Sequence, residues 1–377
     1  MDRKTIDEAG RLTRTPKIAL VCSWLNQYGG AERVLEHLHA LFPEAPIYTS
    51  IHDRQAMPAS WHDWDIRTSF LQRIPWSRSK HRLFLALFPL AFRSLRVEGY
   101  DLIINNTSAF SHGIRTDKSS THISYCLTPA RFVWRFRDYV ARENIPQPVA
   151  SGLVPLIAML RSSERDAARS VNHFVAISRE IAHRIKDAFG RESEVIPPAI
   201  EFDRYRVADQ IGDSYLVVSR LVPYKRIDLA VRSFTKLGKN LIIAGDGRDR
   251  TALERMAGPS IRFVGRVSDQ ELTRLYSECR ALIFTGREDF GLTPLEAQAS
   301  GRPVIAFGEG GALETIKEGQ TGLFFRRPTY ESLIEAVTEF ERRDWDPSAA
   351  MENARSFDVT VFNERIRGLV ERVAGAS

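Results

Sequence analysis

Short apolar runs of strand length recur along this chain, each followed by a stretch of helical apolar spacing. The series restarts midway, at Pro197-Pro198. Before the break the runs are 17–22, 46–49, 101–105, 122–126, 173–177 and 194–196; after it they are 215–218, 240–244, 261–264, 281–285 and 303–307. Between them, Ala31, Val34, Leu35, Leu38 and Leu41 fall on one helical face, 229–237 reads as a helix, and Ser268-x-x-Glu271 opens another as a capping box. Continuously apolar strands that alternate with amphipathic helices call for a parallel sheet covered on both faces, because each parallel crossover needs a helix. The restart predicts two such α/β units, both Rossmann-like. The 377 residues are enough for two ordinary domains. The expected organisation is a flexible tail at 1–15, a first domain at 16–198, a second at 199–355 and a closing segment at 356–377, amphipathic over 357–373.

Composition narrows the class. Hydrophobic residues at 43% and charged residues at 27% are those of a soluble globular protein. The longest apolar run, 83–92, falls far short of the ~20 residues a spanning helix needs. Residues 1–14 are polar and charged, without the apolar core of a secretory signal. Cys22, Cys126 and Cys279 are scattered, with neither metal-ligand spacing nor a disulfide framework. A reduced, cytoplasmic chain is expected. The net charge of +6 invites an anionic partner: a phosphate ligand, nucleic acid or an acidic membrane surface. No nucleic-acid motif is present, and nucleic acid is set aside.

The chemistry concentrates at Glu288-Asp289-Phe290-Gly291-Leu292-Thr293-Pro294-Leu295-Glu296. A strand precedes it and a helix follows, stopping at Gly301. Thr293 can cap that helix and Pro294 suits its first turn. The free N–H groups of a helix start favour a phosphate, and the two acids flank that seat. In a rival reading Glu296 only completes a capping box with Thr293, and Glu288 is solvated. Arg220 and Lys225, after the first strand of the second unit, place two cations near the same seat. Fixed cations stabilise a diphosphate as it departs, most strongly where water is excluded. Alternatively they are surface cations, one of them pairing with Asp228. Gly29-Gly30 lies at a strand-to-helix turn, where a missing Cβ permits close approach of a ligand or simply makes an ordinary turn. Gly245-Asp246-Gly247 lacks the third glycine of a dinucleotide fingerprint and is weak evidence for NAD.

The 288–296 segment resembles the E-x7-E motif of glycosyltransferase family four, and 297–306 and Gly310-Gly311-Ala312-Leu313-Glu314-Thr315 continue the resemblance. The match runs from Lys17 to about Phe362 and is strongest in the second half. It implies the GT-B fold: α/β, two Rossmann-like domains facing across a cleft, one for the donor and one for the acceptor, with the last helix crossing back onto the first. It implies a retaining transfer from a nucleotide-diphosphate sugar. Arg220 and Lys225 would hold the diphosphate, helped by backbone N–H groups from Gly291 to Thr293. Glu288 and the Phe290-Gly291-Leu292 corner would bind sugar hydroxyls, and Glu296 the ribose. Gly29 and Gly30 would face the donor, and Val267, after Gly265-Arg266, would lie in the base-contacting loop. Attack on the face the phosphate leaves needs no side-chain nucleophile. No cofactor and no metal are expected, since the cations replace Mg²⁺ and no Asp-x-Asp cluster occurs at a strand end.

One position departs from the pattern: Leu127 stands where relatives often carry His. His112 could supply an imidazole in the cleft or be an exposed loop histidine. A further stretch, 71–96, is basic and aromatic with no acid in it, and 131–137 repeats that flavour. Such a surface can rest on an anionic membrane; in the other reading its aromatics are core and only its charges are exposed. The expected function is transfer of a hexose, mannose being the candidate, from a GDP- or UDP-sugar to a saccharide acceptor. That acceptor is lipid-linked, at the inner face of a membrane, in surface polysaccharide or glycolipid synthesis. A UDP-glucose or UDP-galactose transferase and a non-catalytic sugar-nucleotide-binding module are the alternatives, with an NAD oxidoreductase a distant fourth.

Overall fold

In the computed structural model, the described residues are 4–6, 12–14, 16–143 and 145–374. The chain divides into two compact units. The first comprises Met1–Ile177, Ile181–Ile196 and Asn363–Ser377; the second comprises Ser178–Glu180 and Pro197–Phe362. The expected tail lies largely outside the described residues. Its two described pieces, Lys4–Ile6 and Leu12–Arg14, pair as antiparallel strands.

The first unit is built on seven parallel strands. In spatial order they are Glu194–Val195, His173–Ala176, Thr121–Cys126, Leu102–Thr107, Ile18–Cys22, Ile47–Thr49 and Ile66–Thr68. Leu102–Thr107 is buried along its whole length, as a central parallel strand must be when helices cover both faces. The helix Gly30–Leu41 turns Val34, Leu35 and Leu38 into the core. At the other end of the chain, Arg372 of the helix Val359–Ala374 reaches Glu194 at 2.8 Å.

The second unit holds six parallel strands: Ile261–Gly265, Leu241–Ala244, Tyr215–Val218, Leu282–Phe284, Val304–Phe307 and Gly322–Phe325. Numbered along the chain this is 3-2-1-4-5-6, the dinucleotide-fold order. It places a switch point between Tyr215–Val218 and Leu282–Phe284, where successive crossovers run in opposite directions and a crevice opens at the carboxyl ends. The core beneath joins Val217, Phe234, Ile243, Ile283, Ile305 and Phe325.

Within these two sheets, two strands lie beyond the sequence-based expectation. Ile66–Thr68 is a partly exposed edge with an arginine at its centre. Gly322–Phe325 opens on a glycine whose Cβ would meet the Val304 carbonyl oxygen at 2.0 Å. That close approach explains a glycine in a strand position that propensity disfavours.

Candidate functional site

Both loops at the second unit's switch point carry residues singled out from the sequence. After Tyr215–Val218 the chain passes Ser219 and Arg220 and forms a single 3-10 turn, Pro223–Lys225. Arg226 then takes a left-handed conformation (φ 53°) to start the helix Ile227–Leu237. A bulky residue rarely adopts that backbone. Here the Arg226 side chain is held by Asp228 through two hydrogen bonds of 3.0 and 3.2 Å. Asp228 is therefore the partner of Arg226, not of Arg220 or Lys225. Arg220 instead donates to the Tyr224 hydroxyl at 3.0 Å, and the Lys225 ammonium lies 5.5 Å from the centre of the same ring. Tyr224 thus spaces the two cations, a role that residue type alone does not announce.

After Leu282–Phe284, Thr285 donates to the Lys225 carbonyl oxygen at 2.8 Å and ties the two loops together. Lys225 Nζ then forms an ion pair with Glu288 Oε1. Their side chains are only 16% and 15% exposed. Gly286 sits under this pair: a Cβ there would lie 3.1 Å from Lys225 Cα and 3.5 Å from Glu288 Oε1.

The corner itself is held from behind by Gly310-Gly311. Gly311 N–H donates to the Glu288 carbonyl at 2.9 Å. A Cβ on Gly310 would come within 2.4 Å of the Glu288 carbonyl oxygen, and one on Gly311 within 2.1 Å of that of Phe290. Both positions demand glycine because backbone meets backbone.

The helix that follows is Leu292–Ala299, and its N-cap is Gly291 at φ 104°, with no side-chain cap bond. This corrects the expected cap at Thr293, which instead occupies the first turn with Pro294. A Thr293–Glu296 capping box is displaced with it. The reason is local: the glycine reaches a backbone conformation that lets the helix begin two residues early. Glu296 is buried, 3% exposed, and its Oε2 accepts from the Tyr276 hydroxyl at 2.6 Å. The helix closes in a Schellman motif, with Gly301 N–H bonded to the Gln298 carbonyl and Arg302 N–H to that of Ala297.

Gly245 and Gly247 are explained by the same loops. Their Cβ atoms would meet the carbonyl oxygens of Ser219 at 1.9 Å and Leu221 at 2.2 Å. They let two strand ends approach, and no dinucleotide fingerprint is needed to account for them. Val267 is half-buried just beyond the carboxyl end of Ile261–Gly265. Arg220, Lys225, Glu288, Phe290, Gly291, Leu292, Thr293 and Glu296 all lie in the two switch-point loops or the first turns of the helix that follows.

In the first unit, Gly29 is the N-cap of Gly30–Leu41 and extended, so the turn beyond Ile18–Cys22 does open on a helix start. Leu127 is half-buried, its N–H bonded to the Thr107 carbonyl at 2.8 Å, at the carboxyl end of Thr121–Cys126. His112 is not an exposed loop histidine. It is sealed in the core, 1% exposed, edge-on to Phe189 at 5.5 Å and Phe174 at 6.2 Å. Burial pushes its imidazole down to about 4. Among the described residues no cluster of three or more metal-ligating side chains occurs.

The family described as glycosyl transferases group 1 matches residues 209–357. A GDP-mannose-dependent alpha-(1-6)-phosphatidylinositol monomannoside mannosyltransferase of Mycolicibacterium smegmatis is 28% identical over 214 residues, 48% of this chain and 56% of that protein. A D-inositol 3-phosphate glycosyltransferase of Nocardia farcinica is 25% identical over 219 residues, 50% of this chain and 47% of that protein. The chain spans about half the length of the curated relatives it matches. Among solved structures, Anabaena HepE in complex with UDP and glucose aligns with a TM-score of 0.69 at 18% identity, over 95% of this chain and 100% of that one. Sucrose-phosphate synthase from Thermosynechococcus elongatus aligns at 0.71 and 16%, again over 95% and 100%. The chain shares their fold, the GT-B fold of two Rossmann-like α/β units.

Proposed function

We propose that this chain is a retaining glycosyltransferase that moves a hexose from a nucleotide-diphosphate sugar to a saccharide acceptor. The observation that carries the reading is the Lys225–Glu288 pair at the switch point, beside the helix start at Gly291. It puts a cation, a carboxylate and free backbone donors where a Rossmann-like unit takes an anionic ligand. Lys225 and Arg220 hold the diphosphate, and the N–H groups from Gly291 to Thr293 add to them. Glu288 and the 290–292 corner take the sugar hydroxyls, and Glu296, oriented by Tyr276, takes the ribose. Val267 lies toward the base. The depth of His112 argues against direct contact with a ligand.

In the reaction, the bond from the anomeric carbon to phosphate breaks while the acceptor oxygen bonds that carbon on the same face. The acceptor's proton passes to the departing phosphate oxygen, and the two cations stabilise the growing negative charge. No side-chain nucleophile and no metal enter this scheme. The mannosyltransferase relatives favour GDP-mannose and a lipid-linked acceptor, which would bring the chain to the inner face of an anionic membrane. HepE, crystallised with UDP and glucose, favours the UDP-sugar alternative.

Thermal unfolding with GDP, UDP, GDP-mannose, UDP-glucose and NAD tests the donor site. At ~100 times its dissociation constant a ligand adds ~2.7 kcal/mol, an easily measured rise in Tm. A rise with one nucleoside diphosphate and its sugar is expected. A rise only with NAD, or with none, would sink the reading. Glu296→Ala is expected to weaken donor binding by about 1.5–3 kcal/mol, the worth of a hydrogen bond to a charged group. Titration of the variant with the preferred nucleotide measures it; unaltered affinity with a lowered Tm would make Glu296 a purely structural partner of Tyr276.

A further inference from the structure

The 70–96 segment of the first unit divides its aromatic and aliphatic side chains between two destinations. Leu71, Phe88 and Phe92 are fully buried in the core. Trp76 and Leu83 are not: they are 72% and 77% exposed. Trp76 also sits at φ 61°, a left-handed backbone that bulky side chains rarely take. The fold therefore presents an indole to solvent from a strained position. Arg78, Lys80 and Arg82, within six residues of it in sequence, are exposed and make no ion pair with any described residue. The nearest acids in sequence are Asp65, engaged by Arg67 at 2.7 Å, and Glu98.

The segment is fixed at the carboxyl end of the interior strand Ile18–Cys22. Asn26 donates to the Arg78 carbonyl at 2.7 Å and meets His81 Nδ1 at 2.8 Å. Trp24 stacks on His81 at 5.4 Å and meets Phe88 edge-on at 5.6 Å. Trp24 and Asn26 follow the strand Ile18–Cys22 and precede the Gly29-Gly30 turn. The segment carrying this surface and that turn thus both adjoin the carboxyl end of the sheet.

We propose that this surface docks the chain on an anionic phospholipid bilayer, with Trp76 and Leu83 entering the interface and Arg78, Lys80 and Arg82 meeting the headgroups. An indole suits the boundary between apolar and wet layers, and unpaired cations close to it in sequence complement anionic lipid. No described helix is long and apolar enough to cross a membrane, which fits surface contact. The proposal deepens the lipid-linked acceptor reading, since it brings the sheet end carrying Gly29-Gly30 to the lipid. It does not commit to a particular lipid-linked sugar.

Co-sedimentation of the full chain with phosphatidylcholine vesicles, with and without phosphatidylglycerol, tests it. Binding should require phosphatidylglycerol and weaken as NaCl rises. Arg78→Glu with Arg82→Glu should lower partitioning by more than tenfold, since one surface cation is worth roughly fivefold. Trp76→Gly should also lower it. Glycine accepts the left-handed backbone, so an unchanged or raised Tm would show that the variant is folded. Equal binding to neutral vesicles, no binding, or binding indifferent to either variant overturns the proposal. The donor-induced Tm shift is read on the same protein without lipid. Its survival alongside failed vesicle binding condemns this surface alone; its loss alongside intact binding condemns the transferase reading alone.

Discussion

Replacing Lys225 with alanine should reduce hexose transfer by about 10²–10³, the usual cost of removing one fixed group that stabilises developing charge. The loss should appear in kcat as well as in donor affinity, because charge on the diphosphate grows as the glycosidic bond breaks. Lys225 also pairs with Glu288, so the variant leaves a mostly buried carboxylate without its cation. A double-mutant cycle with Glu288→Gln separates the two contributions. If Lys225 serves only to hold Glu288, the double variant will be no worse than either single one. If Lys225 binds phosphate and Glu288 binds sugar, the double variant will fall below both. Single-turnover rates at saturating donor are the measurement. Near-normal turnover in Lys225→Ala would remove this lysine from the mechanism.

Acid should unfold the first unit early, and two histidines are the reason. His112 and His122 are both 1% exposed, and neither ring has a hydrogen-bond partner among the described residues. Burial lowers His112 to about 4; burial, with a smaller contribution from His112, lowers His122 to about 3. An unfolded histidine titrates near ~6.5. Between ~6.5 and these lower values the unfolded chain binds protons that the folded chain refuses, so stability falls as pH falls. For His112 alone the loss by pH 4 is about 3 kcal/mol.

Glu164 acts in the opposite sense. Burial raises its carboxyl to about 7, although Trp134 Nε1 and Phe110 N–H both donate to it. Above the ordinary carboxylate range and up to about 7, the folded state holds the extra proton, so this group stabilises the fold as pH drops through that window. Among these three groups the two histidines outweigh the one carboxyl, so together they cost stability in acid. Urea titrations from pH 8 to pH 4 should show His122→Leu retaining more stability at pH 4 than the parent. Glu164→Gln should gain stability at pH 8 and little at pH 5. Identical pH profiles for parent and His122→Leu would contradict the assignment.

How much could be read in advance differs between frame and site. The central strands were legible because parallel strands buried on both faces are continuously apolar, as in 281–285 and 303–307. Ile66–Thr68 was not, since an edge strand with arginine at its centre carries no such run. Gly322–Phe325 was hidden by a glycine that serves a close backbone approach. The spacing of Arg220, Lys225, Glu288 and Glu296 was visible in the chain. Their partners were not. Tyr276 lies 20 residues from Glu296 and reads as one more apolar residue in a helical stripe. Sequence points to Thr293 as the helix start because it has the side chain of a cap, whereas Gly291 has the backbone for one. The depth of His112 was unreadable because a lone histidine between strands says nothing about what covers it.

The glycine pair behind the corner has a consequence for anyone who would transplant this site. Glu288 and Phe290 owe their position to backbone atoms about twenty residues further on, at a surface where no side chain fits. The nine-residue stretch from Glu288 to Glu296 is therefore not a portable cassette. Grafted into another scaffold, it would keep its acids and lose the wall that aims them, unless Gly310 and Gly311 travelled with it.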